Sequence, residues 1–128
     1  MTHISEHAEQ ALVVSQCRMV GILCASIPND GKRSSKTAAI AKQRGLTSGA
    51  PDFLVFTVPP KAPQYRGVAL EFKRRDGGKE DEKQKKFLAD LRAEGWYAEF
   101  VNGAPAALWV LKDLGYPVGT IGLREDAV

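Results

Sequence analysis

Three residues that together could support phosphodiester hydrolysis lie in the middle of the sequence. Asp52 begins an apolar run, and Glu71 and Lys73 stand two positions apart near the end of another. Two carboxylates brought together repel each other unless a divalent cation binds between them. Such a cation lowers the pKa of a bound water and neutralises charge on a phosphate, and a neighbouring lysine can orient the water. The combination predicts a metal-dependent phosphodiesterase site.

These side chains can meet if the two apolar runs, residues 52–58 and 67–73, are neighbouring strands. Side chains alternate along a strand, so Glu71 and Lys73 share one face. The proline-rich segment between the runs cannot be a central strand and is predicted to be a hairpin loop, which would bring Asp52 and Glu71 together at one end of the sheet. The alternative is that Asp52 caps a turn and that Glu71 and Lys73 are edge-strand charges.

The remaining pattern alternates helices and strands along a single domain, residues 1–114, followed by a glycine-rich loose tail, residues 115–128. This order predicts a mixed α/β sheet flanked by helices. Helical spacing or capping signals predict helices over residues 5–20, 34–44, 81–94 and 104–114, and short apolar runs predict strands over residues 22–27, 52–58, 67–73 and 96–101.

The first predicted helix carries a third candidate carboxylate. Glu9 falls near the middle of the apolar stripe that includes Leu12 and Val13, so it needs a partner inside the protein. Glu6 lies at the flank of the stripe, where water reaches it more easily. An equally good reading of Glu9 is that it lies in the first helical turn, where the helix dipole favours a negative charge.

Gln84 also has two readings. Asp81 followed by Gln84 is the spacing of a capping box at a helix start. Gln84 also leads the apolar face of Phe87 and Leu88, which would direct its amide toward the sheet. Capping is the simpler reading, and a place in the site is the alternative.

The composition fits a nucleic-acid partner without requiring one. The 128 residues carry a formal net charge of +3, and 44% of them are hydrophobic, enough for one core. Basic residues beside the Pro28–Gly31 turn and after Lys73 are predicted to contact phosphates. The predicted nucleic-acid contacts are Asn29, Lys32, Arg33, Lys36, Arg74 and Arg75.

Cysteine usage and the first ten residues predict a cytoplasmic location. Cys17 and Cys24 are far from any zinc-ligand spacing and are predicted to be reduced thiols. The first ten residues are polar and acidic, unlike a signal peptide, and no apolar run reaches the length of a membrane span.

Taken in order, a set of short motifs resembles the VRR-NUC family, a branch of the PD-(D/E)XK nuclease superfamily. The resemblance extends over roughly residues 5–114. It implies a restriction-endonuclease-like αβββαβ-type core with an inserted helix, and Mg²⁺ or Mn²⁺ as cofactor. The motifs are Ile27-Pro28-Asn29, Arg33-Ser34, Gly49-Ala50-Pro51-Asp52, Glu71-Phe72-Lys73 and Gln84.

The resemblance also implies roles for individual residues. Asp52 and Glu71 match the metal ligands, Lys73 matches the catalytic lysine, Glu9 the helix-one glutamate and Gln84 the glutamine after the Glu-x-Lys strand. With three acidic groups converging, we expect one or two ions held by Asp52, Glu71 and the backbone carbonyl of Phe72, and Glu9 binding directly or through water.

Stand-alone members of this family resemble phage or bacterial homodimers that resolve branched DNA, such as the Holliday junction. We therefore expect a structure-selective endodeoxyribonuclease. The alternatives are a catalytically silent DNA-binding or assembly module on the same fold, or an RNA nuclease. Apolar residues of the last helix and the tail could supply a dimer interface, although Trp109 could instead be core. These residues are Leu108, Trp109, Leu111, Leu114, Tyr116, Pro117 and Val118.

Overall fold

The computed structural model describes residues 5–28, 39–40, 42–45 and 47–120. Helices and strands follow one another along this part of the chain in the order that the sequence predicts. No helix in these ranges is long and apolar enough to cross a membrane. The elements are α1 (Glu6–Met19), β1 (Cys24–Ser26), β2 (Phe53–Val55), β3 (Val68–Lys73), α2 (Glu82–Ala93), β4 (Tyr97–Asn102) and α3 (Gly103–Asp113).

The four strands form one mixed sheet in the order β1-β2-β3-β4. β1 pairs antiparallel with β2, and β2 pairs antiparallel with β3 in a register that places Phe53 opposite Leu70. β3 and β4 are parallel. A parallel pair needs a crossover connection, which α2 provides. The predicted mixed α/β sheet and the predicted hairpin of the two apolar runs are both confirmed.

β3 is covered on both of its faces. Val68, Leu70 and Phe72 belong to the larger core, which also contains residues of α1 and α3. Ala69, on the opposite face, packs in a smaller core with Leu88 of α2. Since side chains alternate along a strand, the charged residues of β3 share the face of Ala69 and lie on the α2 side of the sheet.

α1 begins where the sequence provides a cap. The side-chain oxygen of Ser5 accepts a hydrogen bond from the backbone N–H of Ala8 at 3.0 Å, which satisfies one of the free donors of the first turn. Val13 and Cys17 are fully buried one turn apart. They fix the helix against the larger core and thereby set the position of its N-terminal turn.

The helix predicted over residues 34–44 lies mostly outside the described residues. Residues 39, 40, 42 and 43 are helical, and the N–H of Arg44 donates to the carbonyl of Ile40 at 3.1 Å. The N–H of Gly45 then turns to Lys42 at 3.0 Å. The predicted end of this helix is therefore confirmed.

The segment predicted as a loose tail differs from that prediction over residues 115–118. Tyr116 and Val118 are only 2% and 5% exposed and belong to the larger core. Gly115, with φ +98°, turns the chain back, and the Tyr116 hydroxyl donates to the carbonyl of Thr57. The glycines that suggested looseness instead allow the return. Residues 121–128 lie outside the described residues.

We expect Tyr116→Ala to lower the free energy of unfolding by about 3 kcal/mol, because a buried ring is lost and leaves a cavity. Tyr116→Phe is the matched control: it keeps the ring and removes the single hydrogen bond, for a loss of about 1 kcal/mol. Urea unfolding followed by circular dichroism measures both. Equal stability of Tyr116→Ala and the wild type would show that this segment does not belong to the core.

Candidate active site

Asp52 and Glu71 lie opposite each other where the β2–β3 pairing ends. Continuing the register of Phe53 with Leu70 by one residue pairs Asp52 with Glu71. A side-chain oxygen of Asp52, Oδ2, accepts the backbone N–H of Phe72 at 3.0 Å. This bond fixes the Asp52 carboxylate against β3. The predicted convergence of the two carboxylates at one end of the sheet is present in the structure.

Pro51 frees a backbone carbonyl beside these carboxylates. The same register places Pro51 opposite Phe72, and proline has no N–H to donate to the sheet. The N–H of Phe72 points toward this side, and the N–H and carbonyl of one strand residue project the same way. The Phe72 carbonyl therefore points toward β2, on the side of Asp52. A residue other than proline at position 51 would donate its backbone N–H to this carbonyl, and Pro51 cannot.

Gln84 connects Glu71 and Lys73. Its side-chain Nε2 donates to Glu71 Oε2 at 3.0 Å, and its Oε1 accepts from Lys73 Nζ at 2.8 Å. Oε1 also accepts the N–H of Asp81, while the Asp81 carboxylate accepts two N–H groups of α2. The two readings of Gln84 are thus both realised, and the capping box holds the amide in the orientation that the site uses.

Glu71 is a buried carboxyl with an incomplete set of partners. It is 3% exposed, and burial raises its pKa to about 9, with repulsion from Asp52 and a hydrogen bond to Asp52 adding to the rise and Lys73 opposing it. Oε1 receives no hydrogen bond from any donor in the described ranges. Its neighbour is another carboxylate, so only a shared proton or a cation makes this contact favourable.

Lys73 has a buried, oriented ammonium group. The residue is 7% exposed, and its Nζ lies 5.4 Å from the centre of the Phe100 ring. With the bond to Gln84, this contact limits the positions that the flexible side chain can adopt. The result is one cation directed into a site that contains two carboxyl groups.

Glu9 lies elsewhere, contrary to the expectation that it joins Asp52 and Glu71. Its burial was predicted correctly, at 0% exposed. Its carboxylate, however, accepts from Arg75 Nε at 2.7 Å and from the backbone N–H of Ala104 at 2.9 Å. Both oxygens are therefore engaged by donors. Among the described residues there is no group of three or more His, Cys, Asp or Glu side chains placed to hold a metal.

Glu6, which the sequence leaves open as the other possible helix-one site residue, and Gln10, which the sequence analysis missed, lie on α1 near Asp52. The charge of Glu6 contributes to raising the pKa of Glu71. Gln10 Nε2 donates to Ser26 Oγ at 2.7 Å and to the carbonyl of Asp52 at 3.2 Å. The spacing of four residues between Glu6 and Gln10 places them on one side of the helix. That shared polar side was the available signal.

A groove of about 1000 Å³ lies between α1 and the β1 edge of the sheet. Glu6, His7, Gln10, Ser26 and Asp52 are among its lining residues. An extended polar chain in this groove could therefore contact Asp52, one member of the carboxylate pair.

The predicted phosphate contacts divide into two groups. Arg74 and Arg75 are exposed at the end of β3, where Arg74 pairs with Asp76 at 3.4 Å and Arg75 pairs with Glu9. Each arginine thus has an acidic partner, and their predicted phosphate contacts stay a prediction. The others, Asn29, Lys32, Arg33 and Lys36, lie outside the described residues.

The apolar residues offered as a dimer surface are largely core. Leu108 and Leu111 are fully buried, Leu114 is 7% exposed, and Trp109 is half-buried on the same helix. Of the two interpretations that the sequence left open for this helix, packing in the core is therefore the one that the structure shows for its leucines. Among the described residues, the most exposed large apolar side chains are Met19 at 77% and Leu23 at 66%, near the C-terminal end of α1.

Comparison with known proteins agrees with this architecture. A family model described as the VRR-NUC domain matches residues 5–105. A solved structure described as a "VRR_NUC domain protein" superposes with a TM-score of 0.72 at 20% identity, covering 89% of this chain and 93% of that chain. No curated protein matches the chain significantly. At this identity the structural match establishes a shared fold, and the predicted resemblance and fold class are confirmed.

The strained carboxyl pair predicts how stability depends on pH in the presence of a chelator. The folded protein holds a proton on Glu71 that the unfolded chain releases near pH 4.5. Stability from this group is complete below that value and is lost as the pH rises toward about 9. Glu71→Gln should remove this trend and raise the free energy of unfolding at pH 8 by about 1 to 3 kcal/mol.

Urea titrations across this pH range measure the effect, and Glu94→Gln, at an exposed glutamate of the α2 C-terminus, is the matched control with no expected change. A Glu71→Gln protein that is less stable than the wild type at pH 8 would mean that the carboxyl pair is not strained.

Proposed function

The chain belongs to the VRR-NUC domain family of nucleases, and from that premise we propose that it is a metal-dependent endonuclease that hydrolyses phosphodiester bonds in DNA. One observation carries the proposal. Asp52 and Glu71 face each other beside the buried Lys73, and one oxygen of Glu71 lacks a donor. A metal-dependent nuclease site needs oxygen ligands for the metal ion, here the two carboxyl groups, and a positively charged side chain beside them, here Lys73.

The candidate metal ligands fit Mg²⁺ or Mn²⁺. Glu71 Oε1 has no donor within the described residues, Asp52 retains Oδ1, and the Phe72 carbonyl faces the same side. All three groups are oxygens, which suit Mg²⁺ and Mn²⁺ better than zinc. Asp52, Glu71 and Phe72 would hold the ion, and Glu6, whose charge is sensed by Glu71, is the carboxylate best placed to act through water.

When bound, the ion supplies charge neutralisation at the scissile phosphate and a water of lowered pKa. The residues of the chain prepare the rest. Lys73 presents its ammonium group to the attacking water or to a phosphate oxygen, and Gln84 keeps that group from pairing directly with Glu71. The Lys73 ammonium group stabilises mainly the transition state, where negative charge on the phosphate is greatest.

A silent DNA-binding module on the same fold is the second candidate, and the burial of the charged residues argues against it. Glu71 and Lys73 are 3% and 7% exposed on a strand whose other members are apolar. Burying charges there lowers the stability of the fold, so their presence is best explained by a chemical role. A module that only binds DNA could use exposed lysines and arginines and would gain nothing from the carboxyl pair.

Resolution of a four-way DNA junction requires two matched cuts, and a symmetric homodimer places two active sites at a fixed separation. We propose this assembly, acting on four-way junctions in a bacterial cell or phage-infected host. The free thiols of Cys17 and Cys24 fit a reducing cytoplasm.

Cleavage of matched linear, flap and four-way DNA, with an RNA duplex alongside, tests substrate class, and sedimentation at micromolar protein tests assembly. We expect paired cuts in the four-way DNA and a dimer. A preference for RNA, or a monomer with and without DNA, would overturn those parts of the proposal.

We expect Lys73→Ala to lower the cleavage rate by roughly 10² or more while the fold and DNA affinity are retained, because the ammonium group acts mainly in the transition state. Single-turnover cleavage and anisotropy binding measure the two quantities. Lys86→Ala, at an exposed lysine of α2 paired with Asp90, is the control and should cut at the wild-type rate. Near-normal cleavage by Lys73→Ala would place the chemistry elsewhere.

We expect Asp52→Asn to weaken Mn²⁺ binding by roughly tenfold or more, since losing a direct ligand should cost at least as much as losing an outer-shell partner. Isothermal titration calorimetry measures the affinity without any substrate. Asp90→Asn removes the same charge from the surface of α2 and should bind Mn²⁺ as the wild type does. Unchanged affinity in Asp52→Asn would refute the assigned ligand set.

A further inference from the structure

Glu9 is the most completely buried acidic group that the proposed chemistry does not use. It is 0% exposed, and its two oxygens are bonded to Arg75 Nε and to the N–H of Ala104, in the first turn of α3. The N-terminus of a helix and a guanidinium group are both hydrogen-bond donors to a carboxylate. Glu9 therefore joins three elements that are distant in sequence: α1, the end of β3 and the start of α3.

Gly103 makes room for this contact. Its φ is +82°, a conformation that other residues rarely adopt. A Cβ at this position would lie 2.6 Å from Arg75 Cγ and 3.2 Å from the Glu9 carboxyl carbon. The backbone at Gly103 thus packs directly against Glu9 and the alkyl chain of Arg75, and a side chain at this position would displace them.

The other end of the Arg75 guanidinium remains available. Only Nε is bonded to Glu9, and Nη1 and Nη2 make no hydrogen bond within the described part of the chain. The side chain is 43% exposed. Arg75 follows Lys73 by two residues and packs against Gly103, next to Asn102, which is the register partner of Lys73. The ion pair therefore lies at the end of β3 that carries Lys73. A guanidinium group held at Nε keeps a two-nitrogen edge suited to a phosphate.

We propose that Glu9 is a positioning residue, which holds Arg75 so that its free guanidinium edge contacts a DNA phosphate next to the scissile one. The proposal rests on the proposed function, because it requires DNA as ligand. It replaces the expected metal-binding role of Glu9. An Arg on a flexible stem loses side-chain entropy when it binds, and the buried anchor removes part of that cost before DNA arrives.

The test measures DNA binding in EDTA, which separates it from cleavage and from metal binding. A labelled DNA duplex is titrated by fluorescence anisotropy over a series of salt concentrations, because each phosphate contact adds about 0.9 to the slope of log affinity against log salt. The proteins are wild type, Glu9→Gln, Arg75→Ala, the double variant and Arg75→Lys. Glu94→Gln, which removes an exposed negative charge, is the control for net charge.

We expect Glu9→Gln and Arg75→Ala each to lower the magnitude of the slope by about 0.9, and the double variant to lower it no further. Glu9→Gln should also bind DNA more weakly, although loss of a negative charge by itself strengthens binding, as Glu94→Gln should demonstrate. Mn²⁺ affinity of Glu9→Gln should equal that of the wild type.

Three results overturn the proposal: an unchanged slope in Glu9→Gln, additive losses in the double variant, or weakened Mn²⁺ binding in Glu9→Gln. If Glu9→Gln does not fold, Arg75→Lys decides. A lysine has a single nitrogen in place of the planar fork, so Glu9 and a phosphate would compete for one ammonium group and the two-nitrogen edge is lost. We therefore expect a slope smaller in magnitude than that of the wild type, and a wild-type slope overturns the proposal. If the wild type does not bind DNA, the proposed function fails as well.

Discussion

The register of β2 on β3 is the constraint on which the site depends. It places Asp52 opposite Glu71 and Pro51 opposite Phe72, so one end of the pairing collects two carboxyl groups and one carbonyl without a ladder donor. A shift of β3 by one residue would turn Glu71 and Lys73 into the core beside Phe53 and would turn Phe72 out of that core. The hydrophobic alternation that forms the sheet therefore also aligns the charged residues, and burial on both faces of β3 keeps them from relaxing into water.

Two buried glutamates of the same chain show opposite solutions to the cost of burial. Each carboxylate oxygen of Glu9 accepts a hydrogen bond, one from the Arg75 guanidinium group and one from the backbone N–H of Ala104. Glu71 has one amide donor on Oε2, its Oε1 receives no hydrogen bond within the described residues, and the Asp52 carboxylate adds repulsion. A satisfied carboxylate stabilises the fold, whereas an unsatisfied one can bind a cation. This difference in partners separates the structural carboxylate from the proposed ligand.

The sequence predicted the parts of the site that depend on local pattern. Strand alternation and the proline-rich loop were enough to bring Asp52 and Glu71 together, and the capping spacing placed Gln84. The burial of Glu9 also followed from its position on the apolar stripe of α1. Its partner did not, because Arg75 is 66 positions away and reaches it only through the turn after β3. The return of Tyr116 to the core was missed for a similar reason, since glycine spacing does not distinguish a loose tail from a tight turn.

Anomalous diffraction from crystals grown with Mn²⁺ tests the central claim most directly, because it locates the ion without reference to activity. The account predicts a peak at the end of the β2–β3 pairing, coordinated by Glu71 Oε1, an oxygen of Asp52 and the carbonyl of Phe72, with Glu9 still bonded to Arg75. A peak at Glu9 would contradict it. So would a saturating Mn²⁺ concentration that leaves Asp52 and Glu71 without an ion.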